Sequence, residues 1–213
     1  MKLSEIKARI DSVHAAHANW WVDLETGLPK QRNVGELLCL VHSEVSESYD
    51  GMITDVMDDH LPQYPCWMVE VADALIRLFD LIGGLRIKDE VVGFLENYFP
   101  EEGYFDFELA GEYELDALFD YHYPKAEHLV PTELYSITHS SISRCMEAHR
   151  KGRMSEFYYS LAAVICHLLG MMQAMGCDAE NSLVEVIDAK VAYNKQRADH
   201  KIENRKGEHG KKY

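Results

Sequence analysis

Apolar residues recur at helical spacing along most of the chain. Leu3, Ile6, Ile10, Val13, Trp20, Trp21 and Leu24 form one broad face, which predicts a helix over 3–25 ended by Gly27 and Pro29. A second helix is expected from an Asn33 N-cap, with Glu36 three residues on, through Leu37, Leu38, Leu40, Val41 and Val45 to about Gly51. The segment 52–65 is polar and proline-bounded and reads as a mobile loop. From Cys66 to Leu85 the chain is apolar on most sides, so this helix is expected to be buried, and a short helix over 89–98 follows it. Pro131 suits the first position of a helix running to about His149, which Gly152 breaks. An apolar helix over 155–175 comes next, then an amphipathic one from an Asp178 cap to about Arg197. Strand signals are almost absent, so the expected fold class is all-α, a single helical bundle over 1–213. Residues 99–130 are acidic and tyrosine-rich, with weak helical periodicity over 113–119, and read as an insertion.

Four polar positions interrupt this pattern. Glu44 and Glu47, and then Glu70 and Asp73, are pairs three residues apart with 22 residues between the pairs. In a helix each pair lies on one face with about 4.5 Å of rise between its members. Two such helices packed antiparallel would gather four carboxylates, which repel one another unless a positive charge joins them; a hard divalent cation with oxygen ligands meets that need. An isolated E-x-x-E is ordinarily a solvated face or a set of ion pairs. Here Glu70 and Asp73 lie in an apolar helix, where packing alone gives no reason for them, and this favours the metal. Mg²⁺ keeps several waters and binds through carboxylates and substrate phosphates; two such ions could clamp a phosphoanhydride and activate a water, with no nucleophilic side chain.

Composition narrows the partners. The chain has 213 residues, 47% hydrophobic and 27% charged, as in a globular domain. No apolar run is expected to cross a bilayer and MKLSEIKARIDSVH lacks the core of a signal peptide, so a cytoplasmic setting is expected. A formal net charge of −15 argues against nucleic acid and anionic membrane as partners. Five widely spaced cysteines suggest neither disulfides nor zinc and are expected to be small buried hydrophobes. The end of the chain is locally basic, with Lys190, Lys195, Arg197, Lys201, Arg205, Lys206, Lys211 and Lys212; residues 198–213 read as a basic tail.

The two halves echo each other. Glu36-Leu37, His42-Ser43 and Ser46 align with Glu133-Leu134, His139-Ser140 and Ser143 at a constant offset of 97, and VADALIRLFDLIGGL aligns with LAAVICHLLGMMQAM at an offset of 90. Glu44, Glu47, Glu70 and Asp73 then fall opposite Ser141, Arg144, Ser160 and Ala163, so every acid is absent from the second copy. Residues 131–197 thus read as a degenerate second helix pair with a closing helix, a pseudo-subunit to the catalytic pair over 33–86.

GELLCLVHSEVSESYDG followed by VEVADALIRLFDLIGG resembles the MazG-like all-α nucleoside triphosphate pyrophosphohydrolases, whose signature is E-x-x-E, a spacer, and E-x-x-D. KVAYNKQRADHK also looks like the end of short members of that superfamily; the insertion and the second helix pair depart from its compact form. The resemblance implies a bundle of that type cleaving a (d)NTP to (d)NMP and pyrophosphate with Mg²⁺, or Mn²⁺ in its place. Glu44, Glu47, Glu70 and Asp73 would be the metal ligands, with a carboxylate of the first pair, Glu44 or Glu47, or a neighbour of theirs orienting the water. Lys190, Asn194 and Arg197 fall where relatives place phosphate contacts, although as cations at a helix end Lys190 and Arg197 also suit the macrodipole. Trp20, Trp21 and Trp67 could wall a base, with His14, His17 or Asn19 bonding it, while core packing claims at least one tryptophan. His42, two residues before Glu44, reads as structural rather than as a support for the metal ligands. A homodimer is implied, or a monomer if the second half acts as the pseudo-subunit.

Other chemistries fit less well. A di-iron carboxylate bundle requires two Glu-x-x-His motifs, which are missing, and Asp59-His60 alone does not make a His-Asp phosphohydrolase. A non-catalytic nucleotide-binding or interaction protein with a vestigial site is the alternative.

Overall fold

The computed structural model describes residues 1–96, 99, 130–177, 182–200 and 204. The expected helical turn near 113–119, nearly all of the insertion, the Asp178 cap and the tail beyond His200, apart from Asn204, lie outside those residues. The described chain is all-helical. Helix α1 spans Leu3–His17, α2 Val34–Thr54, α3 Cys66–Leu85, α4 Lys88–Leu95, α5 Pro131–Arg150, α6 Met154–Ala174 and α7 Ser182–Gln196, with 3₁₀ turns at Ala18–Trp21 and Ala198–His200.

Local chemistry sets most of these limits. The Asn33 side chain accepts hydrogen bonds from the N–H groups of Gly35 (2.9 Å) and Glu36 (3.3 Å), satisfying donors that the first turn of α2 leaves open. At its other end Asp55 takes a left-handed conformation (φ 51°) and its N–H returns to the Gly51 carbonyl. Glu133 accepts from the Val130 N–H at 3.1 Å beside Pro131, fixing the start of α5. Gly152, at φ 68°, makes the sharp turn between α5 and α6.

The first helix is shorter than its apolar face suggests. It stops at His17, and the chain tightens into the 3₁₀ turn before Val22 pairs with Pro29 in an isolated bridge. The tightening delivers Trp21 onto α3, where the indole lies so close to Gly84 that a Cβ there would fall 2.1 Å from its ring atoms. Its N–H donates to Asp80 at 3.0 Å. A continuous helix through residue 25 would carry Trp21 along its own axis instead of onto α3.

The segment between α2 and α3 is packed more firmly than its composition suggests. Helix α2 continues to Thr54, Leu61 is buried, and buried Asp58 accepts from the N–H groups of His60 and Leu61. Two hairpins, α2–α3 and α5–α6, form the body of the molecule. Helix α2 lies against α5, while α1 and α7 cover α3, and α4 covers α6. One continuous apolar core joins residues of all seven helices.

Two expectations need correction. Among the cysteines only Cys145 and Cys166 are buried, whereas Cys39 is exposed and Cys66 and Cys177 are half-buried. Helix α6 is long and apolar enough to cross a membrane by length and composition, with mean hydropathy 1.3, but most of that surface is buried inside the molecule.

Contacts between the halves join aligned residues. His42 and His139, 97 positions apart, stack with their rings 10° from parallel and Nδ1 atoms 2.8 Å apart. Ser46 and Ser143, also 97 apart, each donate to the carbonyl four residues earlier, His42 and His139 respectively. Tyr135 on α5 meets Ser48 on α2 at 2.8 Å; Ser48 donates in turn to the Trp67 carbonyl at 2.9 Å, so the tyrosine hydroxyl is the donor. His42 is thereby turned toward α5 and takes its hydrogen bond there.

Candidate functional site

The α2–α3 hairpin brings three of the four predicted acids together. Glu44, Glu47 and Glu70 each place a carboxylate oxygen within 4.8 Å of the others. Glu44 is buried, Glu47 is exposed and Glu70 is 9% exposed, so the group is a recess open on the Glu47 side. Burial, and then the charge of Asp73, push the Glu70 carboxyl up to about 8. Burial and Glu44 raise Glu47 as well. Both shifts come first from burial of the carboxyls and then from repulsion by a neighbouring carboxylate.

Two cations face the acids. Arg77, one turn beyond Asp73 on α3, donates its Nε and Nη2 to Glu44. Lys190 on α7 is buried, and its Nζ lies 2.9 Å from Asp73 Oδ2. Burial pulls the Lys190 ammonium down, but Asp73 and Glu70 outweigh it and hold it above its ordinary value. Burial raises the Asp73 carboxyl, against the pull of Lys190, so both partners hold their protons more firmly than in water. The lysine sits inside the acidic group, bonded to a carboxylate; the resemblance implied a phosphate contact for it, with a solvated helix end as the alternative. Asp73 stands beside the cluster of three through this bond.

The residue types fit a hard divalent cation. Three carboxylates from two rigid helices supply oxygen donors, and one of them is exposed enough to leave room for water and phosphate oxygens. A second group, Asp58, Cys66 and Glu70, shares Glu70. Burial raises the Cys66 thiol, and Asp58 already binds two backbone N–H groups, so this group adds no separate site.

Asp73 and Arg77 also belong to the wall of a cleft of about 90 Å³. His17 and Trp20 come to it from the first helical segment, Leu37 and Leu40 from α2, Ile76 and Asp80 from α3, and Asn194, Arg197 and His200 from the chain end; Arg32 closes it. A cleft of that size takes one ring system, not a whole nucleotide, for which several hundred Å³ is usual. Of the predicted substrate contacts, Trp20, Asn194 and Arg197 meet here. Trp21 and Asn19 do not line the cleft: Trp21 is held on Gly84 and Asp80, and Asn19 is half-buried outside it. Trp67 is half-buried beside Gly51. His14 bonds Asp80 at 3.0 Å from behind.

No family model, curated protein or solved structure matches the chain. The site is therefore read from its own geometry. Arg32, Arg77, Asp80 and His200 went unmarked in the sequence. Arg77 and Asp80 sit four and seven residues after Asp73, on the same helical face, which is the one signal that could have found them. Arg32 and His200 reach the cleft only through tertiary packing.

Proposed function

We propose that the chain is a Mg²⁺-dependent nucleoside triphosphate pyrophosphohydrolase, converting a (d)NTP to (d)NMP and pyrophosphate. The observation that carries this reading is the convergence of Glu44, Glu47 and Glu70 next to a cleft whose wall holds Asp73, Arg77, Asn194 and Arg197. Glu44, Glu47 and Glu70 would hold the cation, with Asp73 joining as Lys190 releases it. The bound cation supplies charge neutralisation for the phosphates and a water of lowered pKa. Glu47, exposed and raised in pKa by burial and Glu44, would be the carboxylate that takes a proton from water. Arg77, Lys190 and Arg197 offer positive charge to the triphosphate, and Trp20, Leu37, Leu40 and Ile76 give the base an apolar slot. Mn²⁺ would substitute for Mg²⁺.

One observation favours a second reading, a nucleotide-binding protein with a vestigial site. The Glu44–Arg77 and Asp73–Lys190 pairs are what carboxylates without a metal would settle into. A panel of (d)NTPs with Mg²⁺, scored for pyrophosphate against inorganic phosphate, separates the two. The enzyme releases pyrophosphate and loses that activity in Glu47→Gln and Asp73→Asn; a chain that turns over no nucleotide and binds no divalent cation is the vestigial form.

We further infer a tandem duplication behind the fold, of the all-α pyrophosphatase type. Contact of His42 with its own counterpart His139 is what an approximate two-fold axis between α2 and α5 produces. Helix α7, which follows α6, packs on α3, and α4, which follows α3, packs on α6, so the third helices are exchanged. Their buried positions correspond as well: Val91, Val92 and Leu95 match Val186, Ile187 and Lys190. Leu95 stands where Lys190 enters the acidic site, in keeping with a second half built around no ion. Such a chain works as a monomer with one site, in the cytoplasm, with the nucleotide as its partner. If Ser141→Ala or Arg144→Ala lowered cation affinity as much as Asp73→Asn, the assignment of one site would be wrong.

A further inference from the structure

Asp80 is a buried carboxylate in the cleft wall with an unusual set of partners. Trp21 Nε1 and His14 Nδ1 both lie 3.0 Å from the same oxygen, Oδ1. An indole N–H can only donate and an ionised carboxylate can only accept, so Oδ1 is fixed as an acceptor and the side chain is held from behind. No described residue bonds Oδ2, and Asp80 lines the cleft, so this oxygen is left to solvent or to a ligand there. The Arg32 guanidinium, 5.8 Å over the Trp21 ring and close enough to Asp80 to feel its charge, is half-buried at the same cleft. The cleft wall thus presents an acceptor with a donor near it, among Trp20, Leu37, Leu40 and Ile76. A planar heterocycle whose edge carries an N–H beside an acceptor atom has the matching pattern.

We propose that Asp80 is a specificity-determining residue that reads an N–H on the edge of a nucleobase, with Trp21 and His14 as positioning residues that aim its free oxygen into the cleft. The proposal rests on the nucleotide reading of the site but not on its chemistry. Isosteric bases that exchange a donor for an acceptor at one edge position are told apart by such a carboxylate, because the wrong partner sets two acceptors against each other. Asp80→Asn provides a direct inversion. Trp21 can only donate, so the amide oxygen must take the Oδ1 place and the amide NH₂ the Oδ2 place, turning the reading atom from acceptor to donor with little change of shape.

The test uses nucleoside 5′-monophosphates without metal, with binding read by tryptophan fluorescence. Two isosteric amino/oxo pairs are compared, cytidine against uridine and adenosine against inosine. The wild-type chain should prefer one member of at least one pair by roughly tenfold or more, and Asp80→Asn should move that ratio toward the other member by at least as much. The wild-type comparison needs no variant, so it stands even if Asp80→Asn fails to fold. Equal binding within both pairs, no binding of any monophosphate, or a preference that Asp80→Asn leaves intact would each overturn the proposal. Base discrimination without pyrophosphate release from any (d)NTP would keep the role of Asp80 and remove the pyrophosphohydrolase. Pyrophosphate release without base discrimination would do the reverse.

Discussion

Glu70 concentrates the electrostatics of the site in one residue. Burial and Asp73 push it from the ordinary 4.5 to about 8, so at neutral pH it holds a proton that a divalent cation must displace. For this group the unfolded chain gives up the proton first. Its contribution to stability is full below about pH 4.5 and is lost as the pH rises through 8. Cation binding has the opposite slope: Mg²⁺ affinity should rise between pH 6 and 8, by at most about tenfold per unit for one released proton. Titration calorimetry in buffers of different ionisation enthalpy counts that proton directly, and an affinity flat over this range contradicts the assignment. Lys190 makes the complementary case. Lys190→Ala leaves the half-buried Asp73 beside Glu70 without its cation and should cost about 3 kcal/mol in urea unfolding at pH 7. Burial already raises the Asp73 carboxyl, so part of that loss should return as the pH is lowered from 7 and a proton takes the place of the ammonium; a loss that stays constant as the pH falls would mean that Asp73 is not the group left unpaired.

At the level of the elements, the contact of the 3₁₀ turn and α1 with α3 positions the cleft. A Cβ at Gly84 would lie 2.1 Å from Trp21 ring atoms, and one at Gly83 would lie 2.5 Å from His14 Cβ. Both aromatic residues carry the bonds to Asp80, so backbone closeness here and acceptor geometry in the cleft are one constraint. Gly84→Ala should destabilise the chain by on the order of 3 kcal/mol, since the obstacle is a rigid ring pinned by its own hydrogen bond. It should also change the near-ultraviolet circular dichroism of the tryptophans. A variant with wild-type stability and spectrum would show that Trp21 yields easily. The same contact marks where the sequence stops being informative. Limits set by local chemistry, such as the Asn33 cap, Pro131 and Gly152, could be read in the chain because the groups involved are two to four residues apart. The end of α1 could not, since apolar spacing continues past His17 while the turn answers to a glycine pair on another helix. The two carboxylate pairs were legible because they break an apolar pattern. Arg77 and Asp80 interrupt the same apolar helix but complete no pair of carboxylates, and the cleft that gives them a use is built by residues of α1, α2 and α7.

Across the whole molecule the two halves use aligned positions for opposite purposes. Arg77 reaches Glu44 in the first half; 90 positions on, His167 is buried in α6 with Arg144 as the charge it feels. Burial first, and Arg144 second, push His167 down to about 4, so it is neutral at physiological pH. His42 and His139, on the contact between the halves, are lowered by burial too, His42 also by its partner. As the pH falls below about 6.5 the unfolded chain takes up these protons while the folded chain does not. The stability His167 contributes is present above 6.5 and is lost progressively down to about 4, a loss of about 3 kcal/mol for a shift of that size. Glu70 and Glu47, raised in pKa, run in the other direction over part of this range, so the total slope mixes opposing terms. The difference between the wild type and His167→Leu isolates the histidine. The wild type should lose stability relative to the variant between pH 6.5 and 4.5 in urea unfolding, and curves that stay parallel would place His167 in contact with water or with a carboxylate. Because α6 packs against both α5 and α4, and the acidic site lies on α2 and α3, this acid sensitivity belongs to the half that carries none of the four acids. Acid should therefore weaken the folded chain through His167 in α6 and through His42 and His139 at the contact between the halves, while Glu70, already protonated, adds no loss of its own.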